Sequence, residues 1–163
     1  MKFAVKIFFL GWLLAFSFEC GPKDSGQIPK DIENELFKAN QEFLEKKFDT
    51  ALESTERVIK AHHEYLPALV LKGKILFYTK KHKEAQVVFT EVLKREAGHQ
   101  GALVWLARIA LADKKTEAEA EKYLRHGLNN HPEDYVMHME MARYYARIGN
   151  LRQAMVEYQK LTS

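Results

Sequence analysis

From Ile32 to the end of the chain, apolar positions recur every three to four residues among charged ones. The stretch is rich in Ala, Glu, Lys and Leu, and that spacing on good helix formers predicts helices rather than strands. Small residues recur in pairs within it: Ala39 with Ala51, Gly73 with Ala85, Ala107 with Ala120, and Ala142 with Ala154. The first members stand 34, 34 and 35 residues apart, the second members 34, 35 and 34. Four residues after each second member come Thr55, Phe89, Leu124 and Tyr158; three further on come Val58, Val92, Gly127 and Leu161. These positions form one stripe of a helix facing its neighbours. Paired small residues suit two antiparallel helices in close approach, with larger apolar groups filling the space to either side. The segments between the paired helices, LEKKFD, TKKHKE, ADKKTE and RIGNLR, are turn material. Thr116 and Glu119 have the spacing of a capping box, and Pro132 marks the break before the last pair.

A period near 34 with two helices per unit resembles the tetratricopeptide repeat family. In the fourth unit Ala142, Tyr145, Gly149, Ala154, Tyr158 and Leu161 fall on family positions, and in the second Leu69, Gly73, Leu76, Ala85, Phe89 and Val92 do so. The third unit has one extra residue in its turn. The first has Glu35, Lys38 and Glu42 where the family favours apolar groups, as a polar end cap would. The resemblance implies an all-α solenoid of about four repeats (32–65, 66–99, 100–134 and 135–163) wound into a right-handed superhelix. It further implies a concave groove, lined by the first helix of each unit, that binds extended peptides or partner helices without catalytic residues.

Projected onto that geometry, Asn40, Lys74, Arg108 and Arg143 face the groove, flanked by Phe43, Phe77, Leu111 and Ala146 and joined by Leu44, Tyr78 and Arg147. A basic ladder beside aromatic groups suits an acidic or carboxylate-bearing segment. Asn40, Lys74 and Arg108 match part of the family's carboxylate clamp, but the clamp's first lysine would fall at Leu36. The alternative is that these charges only solvate helix faces.

The N-terminus follows a different pattern. Lys2 and Lys6 precede the apolar run IFFLGWLLAFSF, residues 7–18. That run is shorter than the roughly 20 residues needed to span a bilayer, and its basic head fits a secretory signal. Cys20 is the only cysteine, so it has no thiol partner for an intramolecular disulfide, and no metal-ligand cluster surrounds it. The segment is similar to a bacterial lipoprotein signal peptide, in which the cysteine ending the apolar run is lipidated. Glu19, immediately before it, departs from the family's small residue. The expected organisation is a signal peptide over 1–19, a lipid-attachment cysteine and flexible tether over 20–31, and the repeat domain over 32–163. Gly21, not being acidic, favours the outer membrane and a periplasm-facing position. Plain secretion, or an uncleaved helix over Ala4 to Phe18, is the alternative.

Charge changes this picture little. Lys and Arg total 25 against 22 Asp and Glu, a net charge of +3. His62 with His63, and His126 with His131, lack the partners of a metal site. Lys80, Lys81 and Lys83 form a basic cluster, but exclusion from the cytoplasm argues against nucleic acid. No phosphate-binding loop or nucleophile motif occurs, so neither a cofactor nor an enzymatic activity is expected. The expected role is an adaptor or assembly factor in the bacterial envelope, or else an accessory subunit of an envelope enzyme. Leu151, Met155 and Leu161 on the last helix are candidates for an exposed ridge through which two copies could pair.

Overall fold

The computed structural model describes residues 28–162. Cys20, the apolar run before it and most of the tether lie outside the described residues. Eight helices follow in order: α1 (Lys30–Leu44), α2 (Phe48–Ala61), α3 (Leu66–Tyr78), α4 (His82–Arg95), α5 (Gln100–Ala112), α6 (Glu117–Asn130), α7 (Tyr135–Arg147) and α8 (Leu151–Gln159). They pack as four antiparallel hairpins in an all-α solenoid, and no strand occurs among the described residues.

Local chemistry sets the helix ends. In three hairpins the turn passes through the left-handed region, at Lys46 (φ 61°), Lys80 (φ 66°) and Gly149 (φ 81°). These are equivalent positions of the repeat. The next residue's N–H reaches back in each case: Lys47 to the Glu42 carbonyl, Lys81 to that of Leu76, and Asn150 to that of Tyr145, at 2.8–2.9 Å. This satisfies a carbonyl that the end of a helix leaves orphaned. The third hairpin, with its extra residue, turns differently. The Lys115 N–H donates to Asp113 Oδ1 at 2.9 Å, and the Thr116 hydroxyl donates to the Ala110 carbonyl at 3.0 Å. The capping box expected of Thr116 and Glu119 is therefore not formed, because the hydroxyl is spent closing α5 instead of opening α6. Between hairpins, Asp134 accepts from the Met137 N–H at 2.7 Å and so starts α7.

The small pairs lie at the helix crossings. Ala39, Ala51, Ala85, Ala107, Ala120 and Ala142 are wholly buried. At Gly73 the Phe89 ring occupies the space a side chain would need: a Cβ there would lie 2.5 Å from Phe89 Cζ. Phe89 in turn stacks on Trp105 of the following hairpin, 6.2 Å between centroids and 4° from parallel. Each of the three core clusters combines one hairpin with the first helix of the next, the last also taking in Ala154 of α8; Leu36, Ala51 and Val58 pack with Leu71 and Ile75, for example. No hairpin closes its own core. The position held by Thr55, Phe89 and Leu124 is wholly buried in the first three hairpins, yet Tyr158, its equivalent on α8, is 45% exposed. Leu151 and Met155 beside it are also open, whereas Leu161 is half-buried.

Gly73→Ala tests the close approach. In an open helix the change stabilises by up to about 1 kcal/mol, but here the added methyl must displace a ring that is itself stacked. A net loss of about 1–2 kcal/mol is expected. Gly127→Ala should cost less than about 1 kcal/mol, because its Cβ clashes with the flexible end of Met137 and meets Leu103 only at ordinary contact distance. Urea unfolding of the two variants measures the contrast.

Candidate functional site

The first helices touch in succession, α1 to α3, α3 to α5 and α5 to α7, whereas the second helices do not touch one another. Helices closer together on one side than on the other make that side the inner face of a curved layer. The ladder residues of the sequence lie on these first helices, but their charges are arranged unequally. The Asn40 amide donates to the Leu36 carbonyl at 2.9 Å and is turned back on its own helix. Arg108 holds Glu140 Oε1 through Nε at 2.8 Å and Nη2 at 2.6 Å, and its guanidinium lies 4.6 Å from the Trp105 ring centroid. Arg143 Nη1 donates to the same oxygen at 3.0 Å. Arg147 Nε donates to Glu117 Oε2 at 3.0 Å. Each of the three arginines is thus matched by a glutamate.

Glu140 is only 2% exposed and is the residue that sequence reasoning missed. It had a legible signal: it occupies the repeat position of Leu71 and Trp105, where the second and third hairpins place core groups. An acid in a core register needs hydrogen-bonding cations, and the part-buried Arg108 and the more exposed Arg143 supply them. Lys74 differs from the arginines. It is half-buried, and among the described residues no carboxylate stands within ion-pair distance of it. Burial, and secondarily the neighbouring charge of Arg108, hold its ammonium below the ordinary lysine range.

Next to Lys74 the inner face becomes aromatic. Phe43, Phe48 and Tyr78 are mutually 5.5–6.0 Å apart between centroids. With Leu44 and Lys46 they line an open cleft of about 200 Å³ at the turn end of the first hairpin. Leu44 is 70% and Tyr78 49% exposed. Phe77 points differently: it is half-buried, stacked on His82 at 5.0 Å and set edge-on to Trp105 at 5.2 Å, so it joins the core between hairpins.

Two further polar clusters tie the last hairpins together. Glu121 accepts from Arg125, Tyr145 and Tyr144 at 2.6–3.1 Å. Burial pushes its carboxyl up, but these hydrogen bonds together outweigh burial and hold it below the ordinary range. His138, buried on α7, has Nε2 at 2.7 Å from the Pro132 carbonyl and Nδ1 at 2.6 Å from Glu157 Oε2. The carbonyl can only accept, so Nε2 is the donor in that contact. Lys160 also bonds Glu157, at 3.2 Å. These groups are used up in joining α6, α7 and α8. Among the described residues no group of three or more His, Cys, Asp or Glu is placed to hold a metal, and no helix is long and apolar enough to cross a membrane. His62 and His63 line a cleft of about 340 Å³ at the opposite end of the first hairpin from the aromatic one.

Arg108→Ala strips Glu140 of two of its three hydrogen bonds in a buried place. A loss of about 3 kcal/mol is expected, against less than about 1 kcal/mol for the exposed Arg143→Ala, read from chemical denaturation. Reversing both charges would therefore test folding before it tested binding. For Glu121, a lowered carboxyl contributes stability at neutral pH that is lost as pH falls from about 5 through the lowered value. Glu121→Gln should melt lower at pH 7 and show a flatter decline below about pH 5 in thermal scans.

No protein-family model matches the sequence, and no curated protein matches it either. Solved structures do. A thermophilic tetratricopeptide-repeat protein of Thermus thermophilus, TTC0263, superposes with a TM-score of 0.73 at 18% identity, over 80% of this chain and 72% of that one. MamA of Desulfovibrio magneticus RS-1 gives 0.68 at 18%, over 81% and 74%. A tetratricopeptide-repeat protein of Parabacteroides merdae gives 0.67 at 18%, over 82% and 53%. At these identities the likeness is one of fold, and the fold is the tetratricopeptide-repeat solenoid.

Proposed function

We propose that this chain is a non-catalytic protein-binding module, exported and held at the bacterial envelope by a lipid on Cys20, where it serves as an adaptor or assembly factor. The observation that carries the binding role is the surface of the first helices. Their arginines are engaged by Glu140 and Glu117, while Leu44 and Tyr78 stay exposed and Lys74 has no carboxylate within ion-pair distance among the described residues. A surface that satisfies most of its own charge and leaves one apolar and cationic stretch open has the character of a docking face rather than a merely solvated one. The envelope location is supported by residues 1–20, with a basic head and an apolar run of signal-peptide length ahead of the single cysteine.

A photo-crosslinking residue placed at Tyr78 in cells should capture a discrete protein. The same residue at Val87, which is 71% exposed on the second helix of that hairpin, should not. Equal capture from both positions, or none from Tyr78, would overturn the reading. Recovery of envelope assembly components identifies an adaptor; recovery of one enzyme alone identifies an accessory subunit instead.

A further inference from the structure

We propose that the aromatic cleft and Lys74 form one subsite that takes a partner segment in which an acidic side chain stands next to an aromatic or large aliphatic one. This rests on the docking face proposed above and specifies its occupant. The geometry runs along α3. Lys74 and Tyr78 are four residues apart on a helix and so share a face one turn apart. Tyr78 is a wall of the cleft with Phe43, Leu44 and Phe48. On its other side Tyr78 meets Trp105 edge-on at 5.9 Å, and Arg108 lies over that same Trp105 ring. Cleft, Tyr78, Lys74 and the Trp105–Arg108 pair therefore form a continuous strip across the first three hairpins.

The two halves of the strip call for different chemistry. A closed apolar cavity of about 150 Å³ accommodates benzene, so an open cleft of about 200 Å³ walled by three rings and a leucine, with Lys46 at its turn, accommodates one large apolar side chain. Lys74 calls for an anion. The other charged groups of the ladder already face a glutamate, whereas Lys74 has only Arg108 near it, which is repulsive. A carboxylate arriving there would take hydrogen bonds from the ammonium and offset both the burial and the repulsion. The cleft is open at Leu44 and Tyr78, and Lys74 lies half-exposed one helical turn from Tyr78, so an extended chain can place neighbouring side chains in the two places at once.

The charged Lys74 is also a burden on the free protein. Its proton affinity is lowered on folding, so at neutral pH the ammonium reduces stability, and that reduction is relieved as pH rises through the lowered value. Lys74→Gln should therefore melt at or above the wild-type temperature, which separates loss of binding from loss of fold. Leu44→Ser alters an exposed side chain and should leave melting unchanged.

The test uses fluorescein-labelled eight-residue peptides in a Gly–Ser background carrying Asp–Phe, Asn–Phe, Asp–Ser or Lys–Phe pairs, titrated against the repeat-bearing chain by anisotropy. The expected result is Asp–Phe binding at least about tenfold more tightly than the other three. Lys74→Gln should abolish the preference for Asp over Asn while keeping Phe over Ser, and Leu44→Ser should do the reverse. Equal binding of all four peptides, or of none, overturns the subsite. Binding of anionic phosphatidylglycerol vesicles that Lys74→Gln removes, without any peptide preference, would also overturn it, in favour of a membrane surface. If the subsite fails while Tyr78 still captures a protein in cells, the docking face survives without it; if Tyr78 captures nothing, both fall.

Discussion

The Phe89 ring lies where a side chain on Gly73 would be, and it presses on Trp105 of the following hairpin. Much of the middle of the structure depends on that contact. The absence of a Cβ lets α3 and α4 approach closely, and the approach brings the ring far enough through to reach the next unit. Burying a ring of that size stabilises by about 2–3 kcal/mol, and here the gain is shared between two hairpins. Trp105, fixed on one side by Phe89, presents its other contacts to Phe77, Tyr78 and Arg108. A packing requirement in the core thus sets the position of groups on the inner face.

Electrostatics divides that face into a settled part and an unsettled one. Glu140 sits where Leu71 and Trp105 sit in the preceding hairpins, and a buried carboxylate is tolerable only with the hydrogen bonds that Arg108 and Arg143 provide. Arg108 ties α5 to α7 through Glu140, and Arg143 braces the same carboxylate along α7, so neither charge is free for a ligand in the way its position on the groove suggests. Lys74, one repeat earlier than Arg108, has no such acid one repeat on, because that position is Trp105. The same rung of the ladder is structural in one hairpin and open in another. The difference lies in a single residue of the neighbouring helix.

This explains how far the sequence was readable. The Ala and Gly pairs at 34–35-residue spacing carried the hairpins and their order, since close helix approach admits few other residues. The turns were readable where the repeat kept its length. At Thr116 the additional residue moved the hydroxyl back to Ala110, and a pattern that elsewhere opens a helix came to close one. Surface chemistry was less legible, since Lys74, Arg108 and Arg143 look alike in register. Their distinction depends on Glu140, which becomes visible only when the units are aligned by their core positions. Phe77 and Tyr78 are adjacent in sequence, yet one turns into the core and the other walls the cleft. Residues 1–27, with Cys20 among them, lie outside what the structure describes, so the anchoring part of the account rests on sequence alone.

The open flank of α8 gives the array a direction. Each of the first three hairpins is held both by its own crossing and by the helix that follows. Among the described residues the fourth has its crossing, the packing of α7 on the third hairpin and the His138–Glu157 and Glu121 clusters, and no helix covers its far side. In a linear stack stability spreads from neighbour to neighbour, so a unit with an uncovered flank is the first to let go. Wherever α8 stands uncovered, its amides should exchange with solvent sooner than those of α3 and α5, which are packed on both sides.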